Sequence, residues 1–157
     1  MEIKDYIAQW VEVKKMTIGK TMEEVHALFG NEVTNYRRDE LLDANYKDIL
    51  VSFGEKDGKA NLHTTIEMYN ENDIFIGCLD VAKESENEKN WPDGVNPMAH
   101  AQWLEEDREE RIKAFQNLCT ALYELERLYE VPSESDHPLE MAYDIIYNFG
   151  EKENILD

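Results

Sequence analysis

The chain has little of several things. It has two cysteines, Cys78 and Cys119, in 157 residues and no CxxC. A disulfide framework or a four-cysteine zinc site is therefore out of reach. It has 16 basic residues against 35 acidic ones, a formal net charge of −19. A surface so short of cations repels nucleic acid and anionic membrane. No apolar run approaches the roughly 20 residues that cross a bilayer. The opening MEIKDYIAQW carries charges where a signal peptide needs an apolar stretch, so a cytoplasmic protein is expected. Glycine (seven) and proline (four) are few, so each one punctuates the chain.

What remains is ordinary globular material. Apolar residues are 42% and charged residues 32%, enough for one domain with a real core. Ile3, Tyr6, Ile7, Trp10 and Val11 recur at helical spacing and predict an amphipathic helix over 2–13. "IGKTMEEVHALFG" (18–30) contains the Gly-Lys-Thr of a phosphate loop. Lys14 stands where that loop needs its first glycine, and Met16, Thr17 and Ile18 intervene, so no glycine cradle can form. The better reading is a capping box, Thr21 with Glu24, opening a helix over 22–29 that Gly30 ends in a left-handed conformation.

Residues 31–45 show no period beyond one turn near Leu41-Leu42. A period of two then sets in. Ile49, Val51 and Phe53 share a face in 46–53, and Leu62, Thr64, Ile66 and Met68 share one in 60–69, joined by a turn at Asp57-Gly58. Residues 73–82 form a third strand, and the three make an antiparallel meander. Residues 83–97, with two prolines and Pro-Asp-Gly, predict a surface loop. A long helix follows from Met98 to Tyr129, with Ile112, Phe115, Leu118, Cys119, Leu122, Leu125 and Tyr129 as its stripe. VPSESDHP (131–138) breaks it. A last helix runs from Pro138 to Gly150, and 151–157 form a tail. The fold class is α+β: one domain with N-terminal helices and meander over 1–82, the loop, and a helical half over 98–150.

Chemistry finds little support. His26, His63, His100 and His137 lie far apart, with no i, i+4 ligand pair, so no metal or cofactor is expected. Cys78 and Cys119 fall on apolar faces, where a thiol is inert. Ser52, Ser85, Ser133 and Ser135 lack a nucleophile elbow. NENDIFIGCLD lacks the alternating oxygens of a calcium loop. The acids occur in runs, where exposure offers nothing to separate two carboxylate pKa values. No catalytic residue is assigned, and an enzyme is not expected; a carboxylate-using enzyme ranks last among the alternatives.

The acidity is concentrated. Residues 84–110 hold nine acids and two bases, and 130–157 hold eight acids and one base; 111–129 hold only two acids against three bases. In the first stretch the acids are interleaved with aromatics. Trp91, Asp93, Trp103, Glu105, Glu106, Asp107, Glu109 and Glu110 are the candidate partner-binding residues, with the tryptophans as anchors. Like charges within one turn cost stability, and here they are relieved along the run only by Arg108.

"IGKTMEEVHALFG", DELLDANY (39–46) and DILVSF (48–53) together resemble the opening of small immunity proteins from bacterial polymorphic and contact-dependent toxin systems. Asn45-Tyr46-Lys47 stands where those proteins carry Asp-Tyr-Gly, and the helical second half resembles nothing in them. The resemblance spans residues 18–53 and transfers no functional residue. It implies a cytoplasmic antitoxin that occludes a cognate toxin, with a basic nuclease the natural target for so acidic a chain. The alternative from a different class is a nucleic-acid mimic that inhibits a host defence nuclease.

Overall fold

The computed structural model describes residues 1–129 and 138–152. They form two compact units, residues 1–104 and 105–157. The first unit opens with helix α1 (Ile3–Thr17) and helix α2 (Met22–Phe29), followed by a 3-10 turn over Gly30–Glu32. Six strands follow: β1 (Val33–Arg37), β2 (Leu41–Tyr46), β3 (Ile49–Lys56), β4 (Lys59–Leu62), β5 (Thr65–Tyr69) and β6 (Phe75–Asp80). Helix α3 (Val81–Glu84) and a 3-10 turn at Glu88–Asn90 lead to helix α4 (Pro97–Tyr129). Helix α5 (Pro138–Lys152) comes last. The architecture is α+β, as the sequence implies.

Thr21 caps α2 as expected: its hydroxyl accepts from the Glu24 N–H at 3.2 Å, and Gly30 follows at φ 54°. The sheet is antiparallel throughout, in the order β1-β2-β3-β5-β6 with β4 also on β3. Three readings change here. The stretch over 31–45 is a β-hairpin, β1 with β2, rather than irregular chain. Its turn places Asp39 at φ 59°, and the next turn places Lys47 at φ 50°, so neither carries the glycine that announces such a turn. Second, the expected strand over 60–69 breaks at His63-Thr64. β4 pairs the far half of β3 (Phe53 with Leu62), and β5 pairs its near half (Ile49 with Met68). Third, 83–97 is not all loop, since it includes the end of α3 and the 3-10 turn.

The break is satisfied from outside the sheet. The Trp10 indole N–H donates to the His63 carbonyl at 2.9 Å, and the Val81 N–H donates to the Thr64 carbonyl at 2.9 Å. Buried strand ends require such partners. α1 is tied down further along its length. Gln9 and Asp48 exchange two hydrogen bonds of 2.9 Å each, and the Tyr6 hydroxyl donates to the Tyr69 carbonyl at 3.2 Å. The Glu12 carboxylate accepts from both the Tyr46 hydroxyl and the Lys47 ammonium at 2.6 Å. These bonds hold the Glu12 carboxyl below the usual carboxylate range and push the Tyr46 phenol up.

α1 extends to Thr17, past the expected end at Val13, because Val13 and Thr17 still face the core. That core joins Ile7, Trp10, Val11 and Val13 of α1 with Met22 and Val25 of α2. The sheet supplies Leu42, Ala44, Ile49, Val51, Phe53, Ile66 and Leu79. The alternation of Ile49, Val51 and Phe53 onto one buried face is the one the period of two predicts. In the second unit, Phe115 of α4 is buried and its ring lies 6.4 Å from that of Phe149 in α5. Pro138 opens α5 as expected, and the helix runs two residues beyond Gly150. The break after Tyr129, His137 and the tail from Glu153 lie outside the described residues.

Candidate partner-binding surface

The predicted site residues fall in both units. Trp91, Asp93 and Trp103 belong to the first, and Glu105 to Glu110 belong to the second.

In the first unit the Pro-Asp-Gly turn forms as read. Gly94 adopts φ 78°, the Val95 N–H reaches the Pro92 carbonyl at 3.4 Å, and Asp93 is exposed. Asn96 then caps α4 by accepting from the Met98 N–H at 3.0 Å. Trp91 is not held out as a free anchor. Its indole N–H donates to the Ser85 carbonyl at 2.8 Å, and its ring meets His100 edge-on at 6.4 Å. His100 is fully buried, with Nε2 at 2.9 Å from the Ser85 hydroxyl and Trp10 edge-on at 6.0 Å. Trp103 is half-buried and packs on the core, its ring 6.5 Å from Trp10. The structure thus sets two tryptophans, Trp10 and Trp91, against one histidine, with Trp103 joined to them through Trp10. Burial pushes the His100 imidazole below its ordinary pKa, and Nδ1 has no hydrogen-bond partner among the described residues. Sequence reading missed this cluster. Its only signal was the pair His100 and Trp103 on the first turns of a capped helix, with Trp91 a short way before it.

The same unit carries further acids, Glu86 and Glu88 exposed and Glu84 half-buried. Glu84, Glu86 and Glu88 border an open depression of about 620 Å³ together with Lys83 and Asn87. The charge count over 84–110 contained these residues, but their clustering came from α3 and the 3-10 turn, which the sequence did not announce.

In the second unit, Glu105, Glu106 and Glu109 are exposed on α4, while Glu110 is half-buried. Glu105 and Glu109 lie one turn apart, as do Glu106 and Glu110, so each pair stacks on one face. Asp107 differs. Its carboxylate is largely covered and pairs with Arg111 at 2.8 Å, an i, i+4 bridge. The run is therefore relieved by Arg111 as well as by Arg108.

Among the described residues, no group of three His, Cys, Asp or Glu side chains converges as a metal would require. Among the same residues, no helix is long and apolar enough to cross a membrane. Cys78 is exposed on the sheet edge rather than buried, and Cys119 is half-buried on α4. No protein-family profile, curated protein or solved structure matches this chain.

Proposed function

We propose that this chain is an immunity protein that binds and blocks a cognate basic toxin domain, with no chemistry of its own. The observation that carries the reading is the set of exposed carboxylates on α4, Glu105, Glu106 and Glu109, in a chain of net charge −19. The resemblance of residues 18–53 to immunity proteins agrees with it. Exposed carboxylates on a helix present charge without desolvation cost before encounter, and complementary fields raise association rates by roughly 10- to 1,000-fold. A nuclease, whose surface must attract phosphate, is the fitting target. A cytoplasmic location follows from the same reading, since an antitoxin must meet its toxin where the toxin acts.

The tryptophans take a different part from the one their sequence context suggested. Trp91 and Trp103 are engaged in the fold, so the contact is assigned to the carboxylates of α4.

The test is capture from a lysate of the native host with the tagged chain, eluted by rising salt and identified by mass spectrometry. One stoichiometric basic protein leaving late is the expected result. The quadruple variant E105Q/E106Q/E109Q/E110Q should then associate with it about tenfold more slowly at low salt, with a flatter salt dependence. Several unrelated DNA-binding proteins leaving together would favour the nucleic-acid mimic instead. Unchanged rate and affinity in the quadruple variant would remove this face from the interface.

A further inference from the structure

α4 carries two apolar seams. The inner one, Ile112, Phe115, Cys119 and Leu122, is buried or half-buried, with Phe115 against Phe149 of α5. The outer one is Ala114, Leu118, Ala121, Leu125 and Leu128. Its spacing is four, three, four, three, the a/d repeat that lets one helix pack along another. All five residues are exposed: Leu118 is 47% accessible, Leu125 40% and Leu128 64%. An open leucine row carries a hydration cost of about 25 cal/mol per Å².

We propose that the outer seam is a homodimer interface, in which the α4 helices of two copies pack antiparallel about a two-fold axis. This lies beyond the toxin-binding reading and does not depend on it. Two observations select a second copy over another partner. The first is charge. Copies of a −19 chain repel each other, but residues 111–129 hold two acids against three bases, so repulsion is weaker here than along the acidic stretches 84–110 and 130–157 on either side. A basic partner would find no complementary field here, since Arg111, Lys113 and Arg127 flank the seam and Arg111 and Arg127 already pair with Asp107 and Glu124. The second is shape. The seam alternates small and large residues from Ala114 to Leu125. Antiparallel pairing can set Ala114 of one copy against Leu125 of the second copy, and Leu118 against Ala121, so that each knob meets a matching gap. The match is self-complementary, as a two-fold interface requires.

The seam is short. From Ala114 to Leu128, a rise of about 1.5 Å per residue makes roughly 21 Å of helix. It falls below the standard interface size of about 1,600 Å², which sets the expected dissociation constant near 10 μM rather than in the nanomolar range.

Sedimentation equilibrium of the full chain, from about 1 μM to about 1 mM at physiological salt, tests the proposal. The mass should climb from that of the 18.4 kDa chain towards twice that value. L118K/L125K, at two exposed positions, should keep its helical circular dichroism and stay at the single-chain mass throughout. The milder L118Q/L125Q should raise the dissociation constant by about tenfold or more. A wild-type chain that stays single at the highest concentration would overturn the proposal. So would lysine variants that dimerise as well as wild type.

Discussion

His100 sits at the centre of the first unit's aromatic cluster as a neutral imidazole. Its pKa is depressed by burial from the ordinary 6.5. The unfolded chain therefore takes up a proton that the folded chain refuses, between the folded value and 6.5. Stability from this group is complete above about pH 6.5 and is lost as pH falls from there towards the folded pKa. Urea unfolding at descending pH should show that loss, and His100→Gln should flatten it; an unchanged slope would place the titration elsewhere. Trp10 is the other residue on which this region depends. It fills the space between α1 and the sheet, and its N–H takes up the His63 carbonyl at the break between β4 and β5. Trp10→Phe removes buried ring volume and leaves the part-buried His63 carbonyl without its donor, which should cost about 2–4 kcal/mol in urea unfolding. Neither role was legible in the sequence. Trp10 declared itself as a core residue by helical spacing, but its polar partner lies 53 positions away and depends on a strand break that no proline or glycine marks.

The elements that the sequence announced are those with local signals. α2 had its capping box and its terminal glycine, and it forms within those limits. Thr21→Ala should cost about 1 kcal/mol in thermal or urea unfolding, and a null effect would mean that α2 is held by packing alone. The β3–β4 turn had Asp57-Gly58. The β1–β2 hairpin had no such signal. Its turn carries Asp39 and the following β2–β3 turn carries Lys47, both at positive φ, where glycine or asparagine is usual. β1 is an edge strand with no fully buried residue, so a period of two never develops in it. Lys47 keeps its conformation under an ion pair with Glu12 of α1, a long-range cause that no window of sequence contains. At the other edge, β6 exposes Ile76 and Phe75, with Ile74 just before it, all more than half accessible. Edges of this kind invite strand addition when they lack charge. Ile76→Lys should raise the protein concentration at which aggregation begins on heating, as read by light scattering, without lowering the unfolding temperature.

Charge is the property of the whole molecule that the sequence stated most completely. The segments 84–110 and 130–157 were legible by counting; which of their acids stand exposed was not, because that depends on Arg111 closing over Asp107 and on Trp91 turning inward. A net charge of −19 should make folding unfavourable at low ionic strength through self-repulsion. Raising salt to about 0.15 M, where screening acts over roughly 8 Å, should raise the melting temperature. A fall in melting temperature would mean that ion pairs such as Glu12 with Lys47 outweigh the repulsion. The placing of the tryptophans has one more consequence, which concerns how the protein can be watched. All three tryptophans of the chain lie within residues 1–104. Indole emission is an optical label for the first unit alone, and residues 105–157 are dark at the wavelengths that excite it. The far-ultraviolet signal, by contrast, comes from helices in both units, since α1 and α2 lie in the first and α5 in the second. A change in ellipticity on heating without a matching change in indole emission therefore reports on the second unit, and any lag between the two spectra measures how far the units unfold independently.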